Sequence, residues 1–81
     1  MARDYTLWNL KEAAQELATI IASLESGDGD EFNHASLDHL YHHINTAWNA
    51  RDVSEERAQQ CSEADFNLWR RFPDDLMIGA E

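Results

Sequence analysis

From Asp30 to Phe72 the chain carries neither glycine nor proline, and this narrows its fold more than any other feature. Glycine and proline punctuate tight turns, so a long stretch without them disfavours a sheet built from many short strands. Valine occurs once and threonine three times, which weakens a sheet further, because β-branched residues fit the pleated surface best. Long helices are the natural alternative.

The stretch 36–51, SLDHLYHHINTAWNAR, shows the helical period most cleanly. Leu37, Leu40, Tyr41, Ile44, Ala47 and Trp48 recur at three- and four-residue steps and so share one helix face. Asp38, His39, His42, His43, Asn45 and Asn49 fall on its flanks and back. Leu7, Leu10, Ala14, Leu17, Ile21 and Leu24 form an equivalent stripe near the start of the chain, with Ile20 beside it and Thr6 placed as N-cap. Gly27 is positioned to end that helix in a left-handed conformation. SGDGDEFN, residues 26–33, then reads as a loop, with Asn33 as the next N-cap. Asp52 and Glu55 have capping-box spacing before a third stripe of Ala58, Cys61, Leu68, Trp69 and Phe72. Ser62 and Asp65 repeat that spacing, so a break near Cys61 is one outcome. Pro73 stops the helix.

The expectation is therefore a single all-α domain over residues 1–81, an up-down-up bundle of three helices at about 6–25, 34–50 and 54–72. The apolar run Leu76-Met77-Ile78 is expected to dock across it. Trp8, Phe32, Tyr41, Trp48, Phe66, Trp69 and Phe72 give more aromatic surface than three helices cover, and a homodimer completing a larger bundle is one way to bury the rest. Trp48 and Trp69 read as core. Trp8, slightly off its stripe, reads as a residue that meets a second subunit or partner.

Charge excludes several functions. Sixteen acidic residues against six basic ones leave a net charge of −10. Nucleic-acid and anionic-lipid binding rest on clustered Lys and Arg, and Arg70–Arg71 is the one basic pair, so no direct nucleic-acid binding is expected. No apolar run reaches the roughly 20 residues of a membrane helix, and the start of the chain lacks a secretory pattern. No membrane association and a cytoplasmic location are expected.

Chemical motifs are sparse. His39 and His43, four residues apart, have the spacing of helical zinc ligands, with His42 at the border. The metalloprotease motif with that spacing needs glutamate where Leu40 stands, and a third ligand from His34, Asp28, Asp30 or Cys61 is not brought close by spacing. No metal site is expected, with His39, His42 and His43 the candidates if one exists. The acidic loop fails as a calcium loop started at Asp28, because Phe32 and Asn33 occupy the positions that need an oxygen ligand and glycine. Cys61 is a lone cysteine on an apolar stripe, with no basic neighbour in sequence to activate it. No phosphate loop or nucleophile motif is present, so neither enzymatic activity nor a cofactor is expected.

Three functions are compatible with these features. One is a protein–protein interaction role, as homo-oligomer or adaptor, with Trp8 as anchor. Another is an acidic inhibitor, antitoxin or immunity-type protein that meets a basic or nucleic-acid-binding partner through Asp28, Asp30 and Glu31. The last is a metal-binding helical protein using His39, His42 and His43.

Overall fold

A computed structural model describes residues 1–75. Four helices follow one another, α1 (Arg3–Ser26), α2 (His34–Asn49), α3 (Glu55–Gln60) and α4 (Glu63–Trp69), with no strand among the described residues. The expected docking of Leu76-Met77-Ile78 lies outside the described residues.

Helix α1 starts a turn earlier than Thr6 suggested, and no side chain of its own caps it. Its first residues are instead tied to the segment that follows α2: the Ala2 N–H donates to the Arg51 carbonyl at 3.0 Å, and the Asp4 N–H donates to the Glu55 carboxylate at 3.3 Å. Ala2 is completely buried there. Gly27, at φ 99°, ends α1 as expected. Asn33 and Ser36 form a reciprocal capping box that starts α2. In the intervening loop, Asp28 accepts from the Ser23 hydroxyl at 2.7 Å and from the Asp30 N–H at 2.9 Å. Those bonds, the backbone one first, hold its carboxyl below the usual aspartate range.

The third helix is broken. Ser54 caps α3, not the Asp52–Glu55 pair, and Ser62 caps α4. Cys61 between them takes a left-handed φ of 38°, a conformation that costs a residue with a Cβ about 1 kcal/mol or more. It is the turn, not part of an apolar stripe. Arg57 spans the break with a forked pair of bonds to Asp65 at 3.0 and 2.7 Å, which a straight helix with these residues two turns apart would not allow.

Helices α1 and α2 form an antiparallel hairpin, since Ala2 meets Arg51, Asn9 meets His43 and Glu16 meets His39. The seam between them is small and polar. From α1 it buries Asn9, Ala13, Ile20 and Ser23; from α2, Ser36, His43, Thr46 and Ala47, with Ala50 just beyond. Small side chains let two helices approach closely, and this closeness sets where the large ones go. Leu10, Ala14, Ile21 and Leu24 each follow a seam position of α1 by one residue, and Leu17 follows the half-buried Glu16. On α2, Leu37, Ile44 and Trp48 do the same, and Tyr41 follows the half-buried Leu40. One residue is a 100° rotation, and in antiparallel right-handed helices that rotation carries both sets to the same side of the hairpin. The stripes read from sequence are thus not the core: their large members are exposed except the half-buried Leu40, and Leu40 and Ala47 of the α2 stripe fall on the seam side.

The opposite side is covered in part. Trp69 of α4 is 2% exposed and packs against Tyr5 with ring centroids 6.0 Å apart. Phe66 lies edge-on to His42 at 5.1 Å. The chain then wraps the outer edge of α2: Asn45 donates to the Arg70 carbonyl at 3.0 Å, and Asn49 to those of Trp69 and Arg71 at 2.7 Å each. Trp69 meets its expectation as core, while Trp48 stays partly exposed with its indole N–H on Asp75 at 2.9 Å. No helix among the described residues is long and apolar enough to cross a membrane.

Among the described residues Trp69 is the only large aromatic ring fully inside, so Trp69→Ala is expected to cost about 3–5 kcal/mol in urea unfolding. Cys61→Gly, which removes the left-handed strain, is expected to stay within about 1 kcal/mol of wild type. A loss comparable to that of Trp69→Ala would show that the thiol, not the turn, matters at position 61.

Candidate functional site

Two features of the hairpin carry chemistry, a chain of polar side chains through its seam and the open apolar face beside it.

The polar chain starts at Asn9, whose amide N–H donates to the Tyr5 carbonyl at 3.0 Å. That bond fixes which end of the amide is oxygen, and the oxygen faces His43 Nδ1 at 2.8 Å. An amide oxygen only accepts, so His43 Nδ1 carries the hydrogen. On the other edge of the ring, His43 Nε2 lies 3.2 Å from His39 Nε2. His39 Nδ1 in turn faces the Glu16 carboxylate at 3.5 Å. The helical four-residue spacing of His39 and His43 brings the two rings together as the sequence suggested. Glu16 and Asn9 had no part in that expectation. Their signal was a second stripe, Asn9, Ala13, Glu16, Ile20 and Ser23, with the same alternation of four- and three-residue steps as the leucine stripe but too polar to stand out.

His42 does not join this chain. Its ring stacks obliquely near His43, 4.4 Å between centroids, and its Nδ1 is buried without a hydrogen-bond partner. His34, Asp28, Asp30 and Cys61 are likewise elsewhere, and among the described residues no group of three or more His, Cys, Asp or Glu side chains has a metal-holding arrangement. Cys61 Sγ sits 3.5 Å from the Tyr5 hydroxyl; burial first, then this contact, pushes the Tyr5 phenol up to about 12.

The apolar face joins the two leucine stripes. Leu10 of α1 and Ile44 and Trp48 of α2 line one groove of about 240 Å³, together with Met1, Thr6 and Ala47. Arg51 closes its end, with its guanidinium 3.6 Å over the Trp48 ring. Trp8 is on the other side of the hairpin, edge-on to His43 at 5.5 Å and half exposed. The acidic loop residues Asp28, Asp30 and Glu31 are all exposed, and Asp28 is in addition hydrogen-bonded within the loop. A larger groove contains Arg51, Arg57 and Arg71 with Asp74 and Asp75. Arg57 is bonded to Asp65 and Arg51 pairs with Asp52 and Asp75, so its positive charge is largely spent within the fold.

No family model matches the chain, and neither curated proteins nor solved structures offer a similar one.

Burial lowers the pKa of His42 and of His43 from the ordinary 6.5. The charge of neighbouring histidines adds to this in both, and Glu12 and Glu16 oppose it at His43. The unfolded chain takes up protons near 6.5 while the folded protein resists them. Stability is therefore complete above that pH and falls as pH drops below it, by up to about 1.4 kcal/mol per pH unit for each group. Urea midpoints should decline between about pH 7.5 and pH 5, and His42→Gln/His43→Gln should flatten the decline. Asp28 and Asp65, both below 3.8, act only at lower pH and leave this window to the histidines.

Proposed function

We propose that this protein is a non-catalytic interaction protein that pairs with a second copy of itself through the apolar face of its hairpin. The observation that carries this reading is the set Leu7, Leu10, Leu17, Ile21, Leu24, Leu37, Tyr41, Ile44 and Trp48, all exposed and, with the exposed Ala14 between Leu10 and Leu17, spaced at alternating three- and four-residue steps on each helix. That alternation is the seam pattern of packed helix pairs. Roughly half of each side chain in water amounts to about 700 Å² on one copy, near the roughly 800 Å² per partner of a standard interface and above the patch size most monomers expose.

A two-fold axis makes one patch serve both copies. Two hairpins laid face to face give a four-helix arrangement in which the leucines of α1 and the aromatic residues of α2 fill the centre. The stripes contain no charged residue, so the net charge of −10 on each copy stays outside the contact. The anchor of this interface is the Ile44–Trp48 region, with Trp8 on the other side of the hairpin. The adaptor form of the reading differs only in replacing the second copy by another helical pair. The acidic-inhibitor reading draws no support from Asp28, which is engaged in its own loop.

In light scattering after gel filtration, the wild type is expected at twice 9.3 kDa. Leu17→Glu/Ile44→Glu is expected to elute as a folded monomer, while Trp8→Ala remains paired. Added salt should tighten the pairing of two acidic chains by screening their repulsion, whereas it would weaken a complex with a basic partner. A wild type that stays at 9.3 kDa at high concentration would overturn self-pairing.

A further inference from the structure

The geometry points to a divalent transition-metal site formed by His39 Nε2 and His43 Nε2, with Glu16 and Asn9 orienting the two rings from behind. It rests on the seam of the hairpin and is independent of the apolar face.

With both rings neutral, the ring hydrogens of the pair can point away from the space between them. His43 Nδ1 is committed as a donor to the Asn9 oxygen. In the neutral ring its Nε2 is therefore a lone pair. For His39, the carboxylate of Glu16 beside Nδ1 favours the hydrogen there, which makes its Nε2 a lone pair too. Two lone pairs then face each other at 3.2 Å. A direct hydrogen bond between the rings needs one Nε2 to carry a hydrogen: His39 as a cation beside Glu16, His43 as a cation, or His39 with its hydrogen moved to Nε2 and a lone pair towards Glu16.

A metal ion between the two nitrogens keeps both rings neutral, with their hydrogens on the nitrogens that face Asn9 and Glu16. Imidazole nitrogens bind zinc at about 2.0–2.1 Å, so two of them at angles between 90° and tetrahedral lie about 2.9–3.4 Å apart. The observed separation of 3.2 Å falls inside that range. The arrangement behind the nitrogens also has the form of a metal site: a ligating histidine generally donates its other N–H to a carboxylate or amide oxygen, which fixes the ring and raises its basicity. Here Asn9 supplies such an oxygen by a 2.8 Å hydrogen bond, and the Glu16 carboxylate lies at ion-pair distance, 3.5 Å, from His39 Nδ1. Two imidazoles select borderline ions, copper(II) and nickel(II) ahead of or beside zinc(II), over calcium or magnesium. The His39 side chain is 52% exposed, which leaves the remaining coordination positions open to water or to a ligand atom from a partner. His39 precedes the seam position Leu40, so the site faces away from the leucine stripes and stays accessible when those are covered.

The test is calorimetric titration of the full chain with copper(II), nickel(II) and zinc(II) chloride, paired with electron paramagnetic resonance of the copper form. One ion per chain and a spectrum of two coordinated imidazole nitrogens are expected. His39→Ala, at a half-exposed position that the fold tolerates, should abolish saturable binding. Glu16→Gln should weaken it about 10- to 100-fold, as loss of an orienting carboxylate does, and His34→Ala should leave it unchanged. His43→Ala serves as a second ligand variant if circular dichroism shows it folded; His39→Ala decides without it. Failure of the wild type to saturate, or equal binding by wild type and His39→Ala, would overturn the site. Binding that survives Glu16→Gln undiminished would remove Glu16 from it.

Discussion

The rest of the structure depends on how closely α1 and α2 approach. Ala13, Ser23, Ser36 and Ala47 are buried in the seam, and side chains this small bring backbones together without offering much apolar area. The ordinary helix pair buries its leucines against the neighbouring helix; here the leucines begin 100° away and are turned outwards. The free energy that a three-helix core would draw from burying them, about 1.5–3 kcal/mol for each large side chain, is left unused in the single chain. What holds the hairpin together instead is Ile20, the alanines, the Asn9–His43 bond and the ties at its open end, where Ala2 bonds Arg51 and Asp4 bonds Glu55.

That distribution explains which parts of the fold could be read from sequence. Periodicity reports that residues share a face, and the α1 stripe does share one, whereas the α2 stripe mixes the outward Leu37, Tyr41, Ile44 and Trp48 with Leu40 and Ala47 of the seam. It does not report what the face meets. Leu10, Leu17 and Ile21 looked like core because apolar stripes usually are, whereas the true seam of Asn9, Ala13, Glu16, Ile20 and Ser23 is nearly invisible to hydropathy. Local chemistry was the more faithful guide. Asn33 and Gly27 act at the helix ends where their backbone preferences place them, and Ser62 with Asp65 marked a break that the third stripe alone would have hidden. The start of α1 escaped because its stabilising bonds come from residues 51 and 55, a tertiary supply that no local signal contains.

The histidine cluster was legible only in half. Four-residue spacing placed His39 and His43 together, but a helix offers two ligands on a face and no information about the helix opposite. Glu16 and Asn9 complete the chain from α1, across 23 and 34 residues of sequence separation. Trp8 shows the converse. Its position off the leucine line was read correctly as different, yet the difference turns it towards His43, away from the surface that most resembles an interface.

The seam and the outer face are also linked by register. A hairpin whose contact is made of alanine and serine could slide by a turn at little loss, since small residues fit nearly any neighbour. The Asn9–His43–His39–Glu16 chain admits one alignment only, because a shifted hairpin would bury Asn9 and His43 without partners, and an orphaned buried polar group costs about 1–3 kcal/mol. Buried polar groups that fix register at some cost in stability are well attested in helix pairs. Here the fixed register sets Leu10 level with Ile44 and Trp48 around one groove. The polar side of the hairpin thereby determines the shape of its apolar side, although the two share no side chain. Residues 42, 43 and 44 express this in three consecutive positions: His42 lies under Phe66, His43 is in the seam, and Ile44 is on the open face.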